Sequence, residues 1–300
     1  MTKTVLDNGD IAIATLRKPS ALDDLKAKYP SDKLHILKLD VVNEDDIIAA
    51  FKYAEEELGR IDIVFNNAGY SLFAEVEGTS HEVARKMFDV NFWGAMDISK
   101  ETIRFFREVN KPQGGKLWNV SSMAGILPLA AVGYYSASKH GNVPGIVLEE
   151  HWVTDLSPVS SGRCDRGSCC RTRPKMEHQG LCKLGFIENG LIFGKITLLE
   201  FGGFKTRIME PESSPVFPAH PAYTDPTLPG NIMRNYTNNG TYPVGDTDKA
   251  TLMLFHKLAN DPEPSLRVAV GSDSNSGIKK KLKDVEADIT KHESWSDNLY

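Results

Sequence analysis

Four short apolar runs, each ending at a polar residue, punctuate the first 140 residues of the chain. Ile11–Leu16 leads to Arg17, Leu34–Leu39 to Asp40, Ile61–Phe65 to Asn66 and Lys116–Val120 to Ser121. Runs of this kind read as strands buried on both faces. Between them lie longer helical patterns over Asp45–Leu58 and His81–Val109. In the first, Ile47, Ile48, Phe51, Ala54 and Leu58 fall on one stripe, and Gly59 follows as a cap. Strand and helix in alternation imply an α/β fold, a doubly wound parallel sheet with helices on both sides. Such sheets bind ligands beyond the carboxyl ends of their strands. The residues just after each strand are therefore the first candidates for a site.

Composition narrows the function classes. A net charge of −5 excludes a general binder of polyanions such as nucleic acid. No apolar run approaches the roughly 20 residues that a membrane span needs. Met1–Asp10 has no apolar leader core, so the chain is expected in the cytoplasm. The four cysteines, Cys164, Cys169, Cys170 and Cys182, all fall in one short window. Their spacing matches no standard zinc site, so no metal is expected. Further along, Ile196–Glu200 and Leu266–Val270 read as strands, and Met209–Pro243 as a Pro- and Asn-rich loop region suited to a substrate lid. The basic run Lys279–Lys283 reads as a solvated helix face.

The most informative stretch is Asn119–His140. Tyr135 and Lys139 stand four apart, so on a helix they share a face. Reduction of a ketone needs a hydride donor and a proton donor at the carbonyl oxygen. A phenol, protonated at its reference pKa of about 10, is such an acid. In the reverse direction it acts as a base, which requires a lowered pKa, and an ammonium one turn away lowers it. Ser122, just past a strand, can hydrogen-bond the substrate oxygen where charge develops.

On Asn66-Asn67-Ala68-Gly69, Asn91, Ser122 and Tyr135-Ser-Ala-Ser-Lys139, the sequence resembles the short-chain dehydrogenase/reductase family. The resemblance covers roughly Thr2–His140 and Ile196 to about Asp273. It implies a single Rossmann-type domain over residues 1–300 that transfers a hydride between NADP(H) and a small-molecule carbonyl or secondary alcohol, with a homo-oligomer as one assembly. Tyr135 would be the acid/base, Lys139 its activator and a ribose ligand, Ser122 the oxyanion partner, and Asn91 the holder of a relay water. Asp40 would cap the adenine. Asn66, Ala68 and Gly69 would line the ribose edge, and Thr206 would contact the nicotinamide amide. Arg17, with Lys18 beside it and no acid from Thr15 to Pro19, suits a 2′-phosphate, so NADP is expected in preference to NAD. Structural alternatives stand beside these roles: Tyr135 as a packed aromatic, Ser122, Asp40 and Thr206 as caps, Asn91 as a partner of buried backbone, and Arg17 as a solvated charge.

Two departures from the family pattern stand out. The family's first strand and its Thr-Gly-x-x-x-Gly-x-Gly pyrophosphate turn are missing from the sequence. Met1–Asn8 resembles the second half of the helix after that turn, which suggests that about 20–25 upstream residues of the unit are absent. The second departure is the anomalous segment 141–195, where Pro144 and Gly145 interrupt the helix that begins near Tyr135. Back-translated and read one nucleotide later, Ser161–Gly180 admits codons for a helix continuing the family pattern. Its flanks admit splice signals, and the frame is restored at Ile196. Retained introns with a frame shift are the expected origin of the segment and of all four cysteines, with a genuine family-specific insertion as the alternative. Sequencing of the transcript across this region tests that reading. The alternative function is a catalytically inert remnant, which fluorescence titration with NADPH distinguishes from the enzyme.

Overall fold

The computed structural model describes residues 1–141, 185–188, 191–206, 213–239, 245–297 and 299. The cysteine window, the Pro144–Gly145 break and most of the anomalous segment lie outside the described residues. The chain opens with α1 (Thr2–Asp7), β1 (Ala12–Leu16), the short α2 (Asp23–Lys26) and β2 (Leu34–Lys38). α3 (Glu44–Leu58), β3 (Ile63–Asn66), α4 (His81–Phe88), α5 (Ala95–Glu108) and β4 (Lys116–Ser122) follow. Residues 133–141 form α6. β5 (Gly185–Glu188), β6 (Leu191–Phe201), α7 (Pro229–Asn238), α8 (Thr247–Met253), β7 (Arg267–Val270) and α9 (Ser272–His292) complete the described elements.

Among the described residues the strands form two sheets rather than one. β1 pairs with β2 in parallel, and β3, β4, β6 and β7 form a parallel set in that order, with β5 antiparallel to β6. No strand joins β1 to β3, yet both sheets share a core. Ile47, Phe51 and Ala54 of α3 and Ile98, Phe105 and Phe106 of α5 pack together with Leu117 and Ile196, and Ile13 and Leu37 join the same cluster from the smaller sheet. Each fully buried phenylalanine there contributes about 1.5–3 kcal/mol of apolar burial. On the opposite face, Ala250, Leu254 and Leu258 cover Trp118, Leu199 and Val270. α1 reaches both parts: Leu6 packs with Ala12 and Ala14, while Met1 packs against the Trp118 cluster.

Local chemistry explains the elements. Asn43 caps α3 by accepting from the Asp45 and Asp46 amides, three acidic residues fill its first turn, and Gly59 ends it in the left-handed conformation. Asp40 is therefore not that helix's cap; its carboxylate accepts from the Val42 amide. The stripe differs from expectation in one place, because Ile48 faces solvent and Ala50 takes its share of the core. The helix expected over His81–Val109 is divided by a π-helical turn at Asp89–Gly94. A side chain at Gly94 would meet Val41 at 2.8 Å, so glycine there lets this helix lie close to the loop after β2. The region Met209–Pro243, read as loops with at most short helices, contains the ten-residue α7 among its described residues.

Candidate active site

Most of the expected site residues lie at the carboxyl ends of parallel strands. β3 ends at Asn66 beside Asn119 of β4, and β4 runs through Ser122, which pairs in register with Phe201. The serines thus end the strand rather than follow it. Asn67, Ala68 and Gly69 are exposed beyond β3. The Asn66 amide is used internally, donating to the Ala95 carbonyl at 3.0 Å and to Asn119 Oδ1 at 2.8 Å. What Asn66 presents at the strand end is therefore its backbone.

Tyr135 and Lys139 occupy successive turns of α6, and both are buried. Tyr135 packs with Leu72, Met87 and Val132. Lys139 Nζ donates to the Val120 carbonyl at 2.8 Å, and burial pushes its pKa down from 10.5 to about 8. It therefore remains charged at neutral pH, with one of three N–H donors used among the described residues. Facing it is the bare Cα of Gly69. A Cβ there would stand 3.1 Å from Lys139 Nζ and 3.2 Å from Asn91 Oδ1. The π turn brings Asn91 inward to this point, and π turns recur at functional positions. Asn91 Oδ1 accepts from the Tyr70 amide at 3.0 Å, and its Nδ2 donates to the Tyr70 carbonyl and to Ser138 Oγ. Ser122 Oγ, half-buried, accepts from the Ala124 amide and makes a long 3.5 Å contact to the Phe201 carbonyl.

The geometry brings together Gly69, Asn91, Tyr135 and Lys139. Arg17 and Asp40 lie just past β1 and β2 of the smaller sheet, and no hydrogen bond or ion pair among the described residues links them to that cluster. Thr206 is exposed beside Lys205, whose carbonyl accepts from Thr247. Two features escaped sequence reasoning. Ser138, fully buried, accepts from Asn91 and donates to the Tyr135 carbonyl. Its place three residues after Tyr135 was the available signal. The other is an ion pair: Glu75 accepts from Arg234 of α7, which also donates to the Phe217 carbonyl. With the backbone bonds from Phe73 to Pro215 and from Phe217 to Phe73, it fastens α7 and the segment before it to the chain that follows Gly69. No local pattern marks a pair so far apart in sequence. A groove at the opposite edge of the sheet, lined by Arg60, Asp62, Gln113, Lys116 and Lys195, contains none of the expected side chains.

A family model described as short chain dehydrogenase matches residues 1–145. An uncharacterized oxidoreductase of Schizosaccharomyces pombe is 29% identical over all of this chain and 86% of its own length. The oxidoreductase calM of Penicillium decumbens is 38% identical over 44% of this chain, a match spanning only 43% of that relative. Among solved structures, a short-chain dehydrogenase from Streptomyces avermitilis superposes with a TM-score of 0.75 at 24% identity, covering 100% of this chain and 92% of its own. Other solved short-chain dehydrogenases of this fold are complexes with NADP and with NAD. The fold, the family model over residues 1–145 and these relatives together support a place for the chain in the short-chain dehydrogenase/reductase family.

Proposed function

We propose that this chain transfers a hydride between NADP(H) and a small carbonyl or secondary-alcohol substrate. The observation that carries the reading is the buried Lys139 ammonium, one helical turn from Tyr135 and facing Gly69 and Asn91. The residues suit the nicotinamide half of the cofactor. Gly69 leaves open the space that a side chain would fill, and Lys139 retains donors for ribose hydroxyls. The bound nicotinamide would supply or accept the hydride. Tyr135 would give a proton to the carbonyl oxygen in reduction and take it from the hydroxyl in oxidation. The Lys139 charge favours the phenolate form. Ser122 would donate to the same oxygen by giving up its long contact to Phe201. Lys139 Nζ and Asn91 Oδ1 lie on the same side of Gly69, which suits a water between them relaying protons. Arg17, exposed at the end of β1, favours the 2′-phosphate of NADP.

A second reading is a chain that binds no dinucleotide. The split between β1 and β3 among the described residues favours it. Fluorescence titration of the full chain with NADPH and NADH separates the two. Saturable NADPH binding, followed by turnover on a panel of ketones and aldehydes, supports the enzyme. Absence of binding by either nucleotide sinks it.

A further inference from the structure

Among the described residues, the 21-residue α9 is fixed to the domain only at its start. Ser274, fully buried, donates to the Glu200 carbonyl at 2.7 Å, and Gly277 lies against Leu127. From Leu282 to Lys291 every residue is exposed. This projecting part is nonetheless amphipathic. Ile278, Leu282, Val285 and Ile289 follow the 4-3-4 spacing of a coiled-coil seam, and Leu282 and Ile289 are 61% and 64% exposed. An apolar stripe held in water on a formed helix is a surface that lacks its partner.

The charges beside the seam indicate which partner fits. The flanking positions are Lys279 and Lys281 in the first half, and Glu286 and Asp288 in the second. A copy of the same helix laid antiparallel sets Ile278 opposite Ile289 and Leu282 opposite Val285. The same alignment sets both lysines of each helix beside both carboxylates of the other. A parallel copy in register would instead leave Lys279 and Asp288 without an opposite charge across the seam. We propose that α9 is a self-association surface, pairing antiparallel about a two-fold axis with a second copy of this chain. A two-fold contact requires such self-complementarity, and here it is written into one short segment. The seam covers about two heptads, so the interface is small and the dimer weak.

The test uses charge reversal in trans on the full chain. Sedimentation equilibrium over a concentration series from about 5 to 200 μM should show a monomer–dimer equilibrium for the parent. The variant K279E/K281E carries only acidic flanks and E286K/D288K only basic ones. Each alone should dimerise at least tenfold more weakly, and an equimolar mixture should recover association to within about threefold of the parent. All four positions are on the outside of a helix, and unchanged far-ultraviolet circular dichroism checks that each variant folds. A monomeric parent overturns the proposal. So does a dimer that the reversals leave unchanged, or variants that do not associate when mixed.

Discussion

The two ends of the candidate site are built in opposite ways. At one end, Asn91, Tyr135, Ser138 and Lys139 are buried, and amides, carbonyls and hydroxyls hold them. At the other, Arg17 is exposed just past β1 of a separate two-stranded sheet, without an ion partner among the described residues. The difference follows from what each end would do. Moving a proton requires a shifted pKa, and only burial or a close charge shifts one far. Telling one dinucleotide from another requires only a charge that a ligand can reach, and water screens that charge before the ligand arrives. Substitutions at the buried end should therefore produce large effects on rate and stability, and those at the open end small effects on preference.

The largest effect tests the buried end directly. Tyr135→Phe removes one hydroxyl and is expected to lower turnover by about a thousandfold, the range of a positioned general acid. Nucleotide affinity measured by fluorescence should change little. Loss of binding together with rate would mean that Tyr135 acts through packing.

Lys139→Met probes the same end through stability. Burial lowers the lysine's pKa from 10.5 to about 8. Between those values the unfolded chain binds more protons than the folded one, so stability rises with pH across that window. Below pH 8 the buried charge costs on the order of 3 kcal/mol, less whatever the bond to Val120 returns. The Met variant should therefore be inactive yet more stable than the parent at pH 7, by about 1–3 kcal/mol in urea melts. Its advantage should fade as pH rises from 8 to 10.5. A variant less stable at pH 7 would show that the ammonium is not held against its solvation.

The sequence exposed the two ends unequally as well. The strand ends, α3 with its Gly59 stop, and the Tyr135–Lys139 face all follow from local periodicity and capping. The π turn around Asn91 does not, because it depends on how the helix meets Val41 and Tyr70, which are distant in sequence. Ile48 fits the helical stripe by spacing, yet it faces water because α5 covers only part of that stripe. The division into two sheets is also a matter of pairing between strands, which single-strand patterns do not encode.

The pair of Glu75 with Arg234 lies between the extremes. The Arg234 side chain is 7% exposed and the Glu75 side chain 16%. The guanidinium beside Glu75 holds its carboxyl below the usual carboxylate range. That stabilisation is present above the unfolded pKa of about 4.3 and lost as pH falls through the lower folded value. Glu75→Gln leaves the guanidinium without its counter-charge and should cost about 2 kcal/mol. Hydrogen exchange should rise in residues 213–239 while the core around Phe105 and Phe106 stays protected. On a substrate found by panel, KM should rise about tenfold with kcat nearly kept. Uniform exchange across the chain would make the pair a general stabiliser rather than a fastening of that segment.

The smallest effect is expected at the open end. Arg17→Ser removes a charge that no neighbour supports, so its loss should leave the melting midpoint unchanged within error. An exposed contact from arginine to phosphate is worth about 1 kcal/mol. The ratio of NADPH to NADH affinity should therefore fall by roughly three- to tenfold, and less at high salt, where the 2′-phosphate is screened. A far larger drop would mean that the arginine is enclosed once nucleotide binds, which would erase the contrast between the two ends. An unchanged ratio at low salt would move the discrimination to another residue, with Lys18 the next cation along the same loop.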